Sequence, residues 1–131
     1  MGNTITEAER ATIYVVEDER ALLELVALTL SNGPWEVKRF ASAEEALMSF
    51  QSESNKPALL LTDYDLGTSD GLTLAAQCRK LHPTLKVILM SGTVTEQVMA
   101  KSPVHLECFV PKPFRPQRLR EAVSAALSAT V

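Results

Sequence analysis

Residues 59–71, LLLTDYDLGTSDG, decide how this chain is read. Three leucines and a threonine run without interruption into Asp63, and three carboxylates (Asp63, Asp65 and Asp70) fall within eight positions. An unbroken apolar run bounded by turn formers is the pattern of a strand buried on both faces. Acids at the end of such a strand raise a question of chemistry, because a carboxylate at the rim of a core is costly unless a partner relieves it.

Working outward, the same alternation recurs on both sides. Residues 12–17 (TIYVVE) and 35–40 (WEVKRF) read as strands rich in β-branched and aromatic residues. Between them, 20–31 carry Leu22, Leu23, Val26 and Leu30 at helical spacing and stop at Asn32-Gly33-Pro34. Ser42 and Glu45 form a capping box for a helix bearing Ala46, Leu47 and Phe50. The third strand is expected over 58–63, a helix over 70–81 and a fourth strand over 86–90. Thr93 and Glu96 offer another capping box, 107–110 a fifth strand, and Pro116 suits the first turn of a last helix. Five strands alternating with five helices imply a doubly wound parallel α/β sheet, since each right-handed crossover needs a helix. We expect residues 1–11 to be an N-terminal extension and 12–131 one domain, with no output domain.

Composition bounds the partners. The 131 residues are 46% hydrophobic, enough for a core, and 13 Lys+Arg against 16 Asp+Glu give a net charge of −3, which argues against direct nucleic-acid binding. No apolar run approaches a membrane span, and the start has no signal-peptide pattern, so a cytoplasmic protein off the membrane is expected. The start does match the loose MGxxxT myristoylation pattern, which carries little weight alone. Cys78 and Cys108 lack a CxxC spacing and read as buried, reduced thiols.

In an open α/β sheet, ligands gather at the carboxyl ends of the strands. Here those ends carry Glu17-Asp18-Glu19, Asp63, Ser91-Gly92 and Pro111-Lys112-Pro113. Oxygen ligands suit a hard divalent ion such as Mg²⁺, and a lysine supplies charge for an incoming phosphoryl group. The set points to phosphoryl chemistry.

The constellation Glu17-Asp18, Asp63, Ser91 and Lys112-Pro113-Phe114 resembles the receiver domain of bacterial two-component response regulators. The resemblance implies a flavodoxin-like (βα)5 fold with strand order 2-1-3-4-5. It implies that Asp63 accepts a phosphoryl group from the phosphohistidine of a sensor histidine kinase or phosphotransfer protein. Mg²⁺ would then be bound by Asp18 and Asp63 directly, by Glu17 through water and by the Asp65 backbone carbonyl. Ser91 would bond the phosphoryl group, Lys112 would pair with it, Phe109 would change rotamer on activation, and Lys112–Pro113 would be cis. The output would be a surface of the fourth helix, fifth strand and fifth helix read by a downstream protein; a phosphorylation-dependent homodimer is left open. Such a domain phosphorylates and dephosphorylates itself and is not a turnover enzyme. The sequence departs from the family at Leu66-Gly67, where Met-Pro is usual, which suggests a more flexible loop; at Asp65, an acid two positions after the acceptor; and at Phe109, where tyrosine is frequent.

Two alternatives stand beside this reading. The chain is also compatible with a receiver excised from a hybrid sensor kinase. From another class, Asp63-Tyr64-Asp65 satisfies the DxD pattern of haloacid-dehalogenase-like phosphatases, although that family places it after the first strand. Glu19 is read as an acid favouring a helix N-terminus, and His82 and His105 as solvated loop residues without a ligand partner.

Overall fold

The computed structural model describes residues 10–128; the 1–9 part of the expected extension and the myristoylation pattern lie outside them. The elements alternate as β1 (Ala11–Val16), α1 (Arg20–Leu30), β2 (Trp35–Phe40), α2 (Ala43–Ser52), β3 (Leu59–Asp63), α3 (Gly71–Leu81), β4 (Lys86–Ser91), α4 (Glu96–Met99), β5 (Cys108–Pro111) and α5 (Pro116–Ser128). All strand pairs are parallel, in the order β2-β1-β3-β4-β5.

Strand alternation sorts the core into two layers. Ile13, Val15, Leu59, Leu61, Ile88, Met90 and Val110 face α1 and α5, where they meet Leu23, Val26, Leu30, Leu119 and Val123. Tyr14, Val16, Leu60 and Val87 face the other way, onto Ala46 and Phe50 of α2 and Leu74, Ala75 and Cys78 of α3. β3 is buried at every position, as its unbroken apolar run requires. Two capping residues fix helix starts: Ser42 Oγ accepts from Glu45 N–H at 3.2 Å, and Asp70 Oδ1 from Thr73 N–H at 2.8 Å.

Three expectations are corrected. The fourth helix does not begin at Thr93 but at Glu96, and it has a single turn. The cause is Ser91, whose Oγ accepts from the N–H groups of Thr93 and Val94 at 3.1 and 3.0 Å and so holds that stretch in a turn. Cys78 is buried but Cys108 is only half-buried, with the Arg118 guanidinium donating to its Sγ at 3.3 Å. His82 follows α3 as a loop residue but is half-buried rather than fully solvated: its N–H bonds Cys78 O at 2.9 Å to close α3, and its ring lies 6.5 Å from that of Phe50.

Gly71 makes the start of α3 possible. A β-carbon there would lie 2.4 Å from Asp63 O, so only glycine lets the helix approach the end of β3 this closely.

Candidate functional site

β1 and β3 are neighbours, yet β1 feeds α1 on one face of the sheet and β3 feeds α3 on the other. This is a topological switch point, where the diverging connections leave a crevice. Glu17 and Asp18 leave β1 into it, and Asp63 ends β3 beside it. Ligand oxygens of Glu17, Asp18 and Asp63 all lie within 4.8 Å of one another, the arrangement of a cation site. An all-carboxylate donor set fits a hard divalent ion.

One cation already sits among these acids. Lys112 Nζ lies 2.8 Å from Glu17 Oε1 and 3.0 Å from Asp63 Oδ1, tying the ends of β1, β3 and β5 together. Gly92 lies beside it, and a β-carbon there would make only ordinary contact with the Lys112 side chain, at 3.5 Å. The Lys112–Pro113 peptide is cis. Glu17 is 1% exposed and Asp63 6%. Burial pushes the Glu17 carboxyl above its ordinary value, and repulsion from Asp63 adds to this against the bonds from Lys112 and the Glu19 N–H. Burial likewise raises Asp63, where Lys112 opposes and Asp18 reinforces the shift. For Lys112, burial favours the neutral amine, but Glu17 and Asp63 together outweigh it and hold the ammonium charged beyond its usual range. One lysine does not neutralise three acids.

Ser91 is buried at the end of β4 and accepts the two amide bonds described above. Its lone pairs are thereby occupied and its O–H remains a donor, with Thr93 Oγ1 3.4 Å away. Phe109 is 8% exposed and packs with Leu89 and Met99. Its ring is thus buried.

The loop after Asp63 is a tight hairpin rather than the slack segment that Leu66-Gly67 suggests. Leu66 N–H bonds Ser69 O at 3.0 Å, Gly71 N–H bonds Tyr64 O at 2.7 Å, and Asp65 bridges Asp70 in antiparallel fashion. Gly67 has φ +82°, as the first central residue of a two-residue hairpin turn favours and proline cannot adopt. Asp65 is exposed, and its Oδ1 accepts from Gly67 N–H at 3.2 Å. Its side chain is therefore committed to the turn, outside the acid cluster. That placement speaks against the DxD phosphatase reading, which needs both aspartates in one site. The turn's bonds use Tyr64 O and Leu66 N–H, leaving the Asp65 carbonyl outside them.

Two site features escaped the sequence reading. An apolar hollow of about 310 Å³, lined by Leu22, Leu25, Pro113 and Phe114, opens beside Lys112. Leu22 is among the apolar positions read from helical spacing, but Leu25 is not, and the loop of Pro113 and Phe114 that meets them is distant in sequence. Thr93, beside Ser91, was mistaken for a helix cap.

A parallel sheet of this order, with acids, a hydroxyl and a lysine converging on its switch point, defines a phosphoryl-handling signalling module. The chain matches the response regulator receiver domain family over residues 13–124 and belongs to it. Regulatory protein VanR of Enterococcus faecium is 32% identical over 116 residues, covering 88% of this chain and 49% of VanR. Sensor kinase CckA of Brucella abortus is 30% identical over 118 residues, covering 89% of this chain and 12% of CckA. Among solved structures, a CheY-like receiver domain protein from Methanospirillum hungatei superposes with a TM-score of 0.82 at 27% identity, covering 91% of this chain and 94% of that one. The NtrX receiver domain of Brucella abortus gives 0.79 at 32%, covering 90% and 99%. This chain thus spans half or less of the two curated relatives. No helix among the described residues is long and apolar enough to cross a membrane.

Proposed function

We propose that Asp63 accepts a phosphoryl group from the phosphohistidine of a sensor histidine kinase or phosphotransfer protein. The observation that carries this is the placement of a buried carboxylate at the switch point, between a lysine and two further acids. An Asp63 carboxylate oxygen attacks phosphorus; the new O–P bond forms as the P–N bond breaks, and the imidazole leaves as a neutral base after taking up a proton. Asp18 and Asp63, with Glu17 through water and the Asp65 carbonyl, would hold Mg²⁺. When bound, the ion offsets the negative charge that builds between donor and acceptor. Lys112 is already within bonding reach of Asp63 and pairs with the phosphoryl oxygens once they arrive.

The phosphorylated Asp63 then draws the Ser91 O–H as a charge-assisted donor. Because the same Oγ holds Thr93 and Val94, that bond pulls on the segment entering α4. Phe109 is buried against Leu89 and Met99, and the modification would act on this aromatic by favouring one of its rotamers. The readout surface is α4, β5 and α5, addressed to a downstream protein or a second copy. The hollow beside Lys112 suits the apolar face of a phosphohistidine-bearing helix. Two unpaired cysteines accord with the reducing cytoplasm.

The test is labelling by acetyl phosphate. The parent takes up label only with Mg²⁺, and Asp63→Asn takes up none. Equal labelling after EDTA, or undiminished labelling of Asp63→Asn, overturns the assignment.

A further inference from the structure

β2 is one edge of the sheet, and among the described residues no strand pairs with its outer side. The direction of its backbone follows from one bond. Phe40 O accepts from Glu17 N–H, so Phe40 faces β1. By alternation Lys38 and Glu36 do too, while Trp35, Val37 and Arg39 present their N–H and C=O groups outward. The same three side chains lie on the α1 face, where Trp35 and Val37 join the core and Arg39 pairs with Glu24.

An antiparallel partner strand must place outward residues opposite outward residues. For a second copy of β2, the two-fold registers that pair at least three of its residues are centred on Glu36, Val37, Lys38 or Arg39, and the last sets two arginines face to face. Centring on Glu36 sets two glutamates face to face, and centring on Lys38 sets two lysines so. These are the close, non-hydrogen-bonded positions, where like charges directly opposed are destabilising. Only the register centred on Val37 places Glu36 against the second copy's Lys38, twice by symmetry. There Val37 exchanges both backbone bonds with its counterpart, and Trp35 does so with the second copy's Arg39. Trp35 O also accepts from Arg10 at 2.8 Å, and its second lone pair remains for the pairing.

The helix above this edge fits the same axis. Leu28 of α1 is 70% exposed, and beneath it a hollow of about 520 Å³ opens between α1 and β2, lined in part by Ala27, Leu28, Trp35 and Val37. A two-fold axis through Val37, perpendicular to the sheet, puts both α1 helices on one face.

We infer that the β2 edge is a self-association surface, by which two copies join their sheets in antiparallel, two-fold fashion about Val37. The interface is isologous and closes, so it ends at a dimer rather than a fibre. It lies across the sheet from β5 and does not use the readout surface proposed above.

Charge exchange tests it by sedimentation equilibrium on the full chain, from about 10 μM to about 1 mM, the range of small transient interfaces. The parent should dimerise. Glu36→Lys and Lys38→Glu should each weaken the dimer about tenfold or more by opposing like charges. The double exchange should restore the parent affinity. Val37→Pro removes an outward N–H that β1 does not use and should give a monomer, with circular dichroism verifying the fold. A parent that stays monomeric throughout overturns the proposal; that result is expected if another segment or protein covers the edge. So does a double exchange no tighter than the single variants, or a folded Val37→Pro that still dimerises.

Discussion

The two ends of the sheet each carry an ion-pair network, and the networks differ in kind. At the amino ends of β4 and β5, Arg79 and Glu107 form a one-to-one pair at 3.2 Å. Arg79 spends its other donors on Leu85 O at 3.0 Å and His105 O at 2.6 Å. Glu107 bonds both backbone groups of Val87: its N–H gives to Val87 O at 2.8 Å, and its Oε1 accepts from Val87 N–H at 2.6 Å. His105, an exposed loop residue as expected, stands 3.5 Å from Oε2. That network is complete and locks α3, β4 and the loop before β5 together. At the carboxyl ends, Lys112 is shared between Glu17 and Asp63, with Asp18 beside them. The first end spends its charges on structure. The second holds an excess of negative charge in a crevice, which is what a cation and a phosphoryl group would relieve.

Exchanging the roles of the two ends is the way to break this contrast. The largest effect is expected for Glu107→Ala, which leaves the Val87 N–H without a partner and takes the carboxylate from the Arg79 guanidinium, which keeps its bonds to Leu85 O and His105 O. An unsatisfied buried amide and a half-buried charge cost about 2–4 kcal/mol together. Denaturant unfolding should show that loss, while acetyl phosphate labelling of the folded variant keeps the parent rate. A slower labelling rate would mean that the two ends are coupled.

Lys112→Ala should behave in the opposite way. A hydrogen bond to a charged group is worth about 1.5–3 kcal/mol, so loss of the Lys112–phosphoryl contact should reduce the phosphorylation-induced gain in partner affinity about ten- to a hundredfold. Lys112→Arg should recover only part of it, because a planar fork does not replace a compact ammonium. Arg79→Ala, at the other end, should retain the gain. Should Lys112→Ala respond as fully as the parent, the lysine is structural and the contrast collapses.

What the sequence disclosed follows the same division. The strand ends are legible because period and punctuation are local: LLLT running into Asp63, and TIYVV into Glu17 and Asp18, fix which residues sit at the carboxyl edge. The fold order follows from the alternation together with the family resemblance. Glu107 was not legible, because its role depends on Arg79, 28 positions away, and on the register of β4 against β5. The length of α4 was missed because one side chain, Ser91, competes with the helix for its first amides. The hairpin at Gly67 was read as looseness because glycine signals freedom in a sequence, whereas here one positive φ closes a bonded turn.

The smallest effect expected is also the most specific to the acid end. Burial raises Glu17 and Asp63 above their ordinary values of 4.5 and 3.8, so the folded chain binds protons there more tightly than the unfolded one. Stability from these two groups is then full below those values and is lost as pH rises through the raised ones. Lys112, raised above 10.5, stays charged throughout that window. Without metal, acidification from neutrality into the window should therefore favour the folded state at this site. Mg²⁺ should also favour the folded state, but through the ionised carboxylates and so against protonation. At a free concentration equal to its dissociation constant, it adds about 0.4 kcal/mol, and this increment should shrink as protons compete. Asp63→Asn removes one of the two titrating acids. It should raise the metal-free unfolding midpoint near neutrality, flatten its pH dependence and forfeit most of the Mg²⁺ increment. Glu107→Ala, although far less stable, should keep that increment in full. Thermal unfolding of the three proteins, with EDTA and with Mg²⁺ on both sides of the window, measures each quantity. If Asp63→Asn retains the parent's pH slope, the carboxylate at 63 is not under the strain its burial implies, and the excess of charge at this end resides elsewhere.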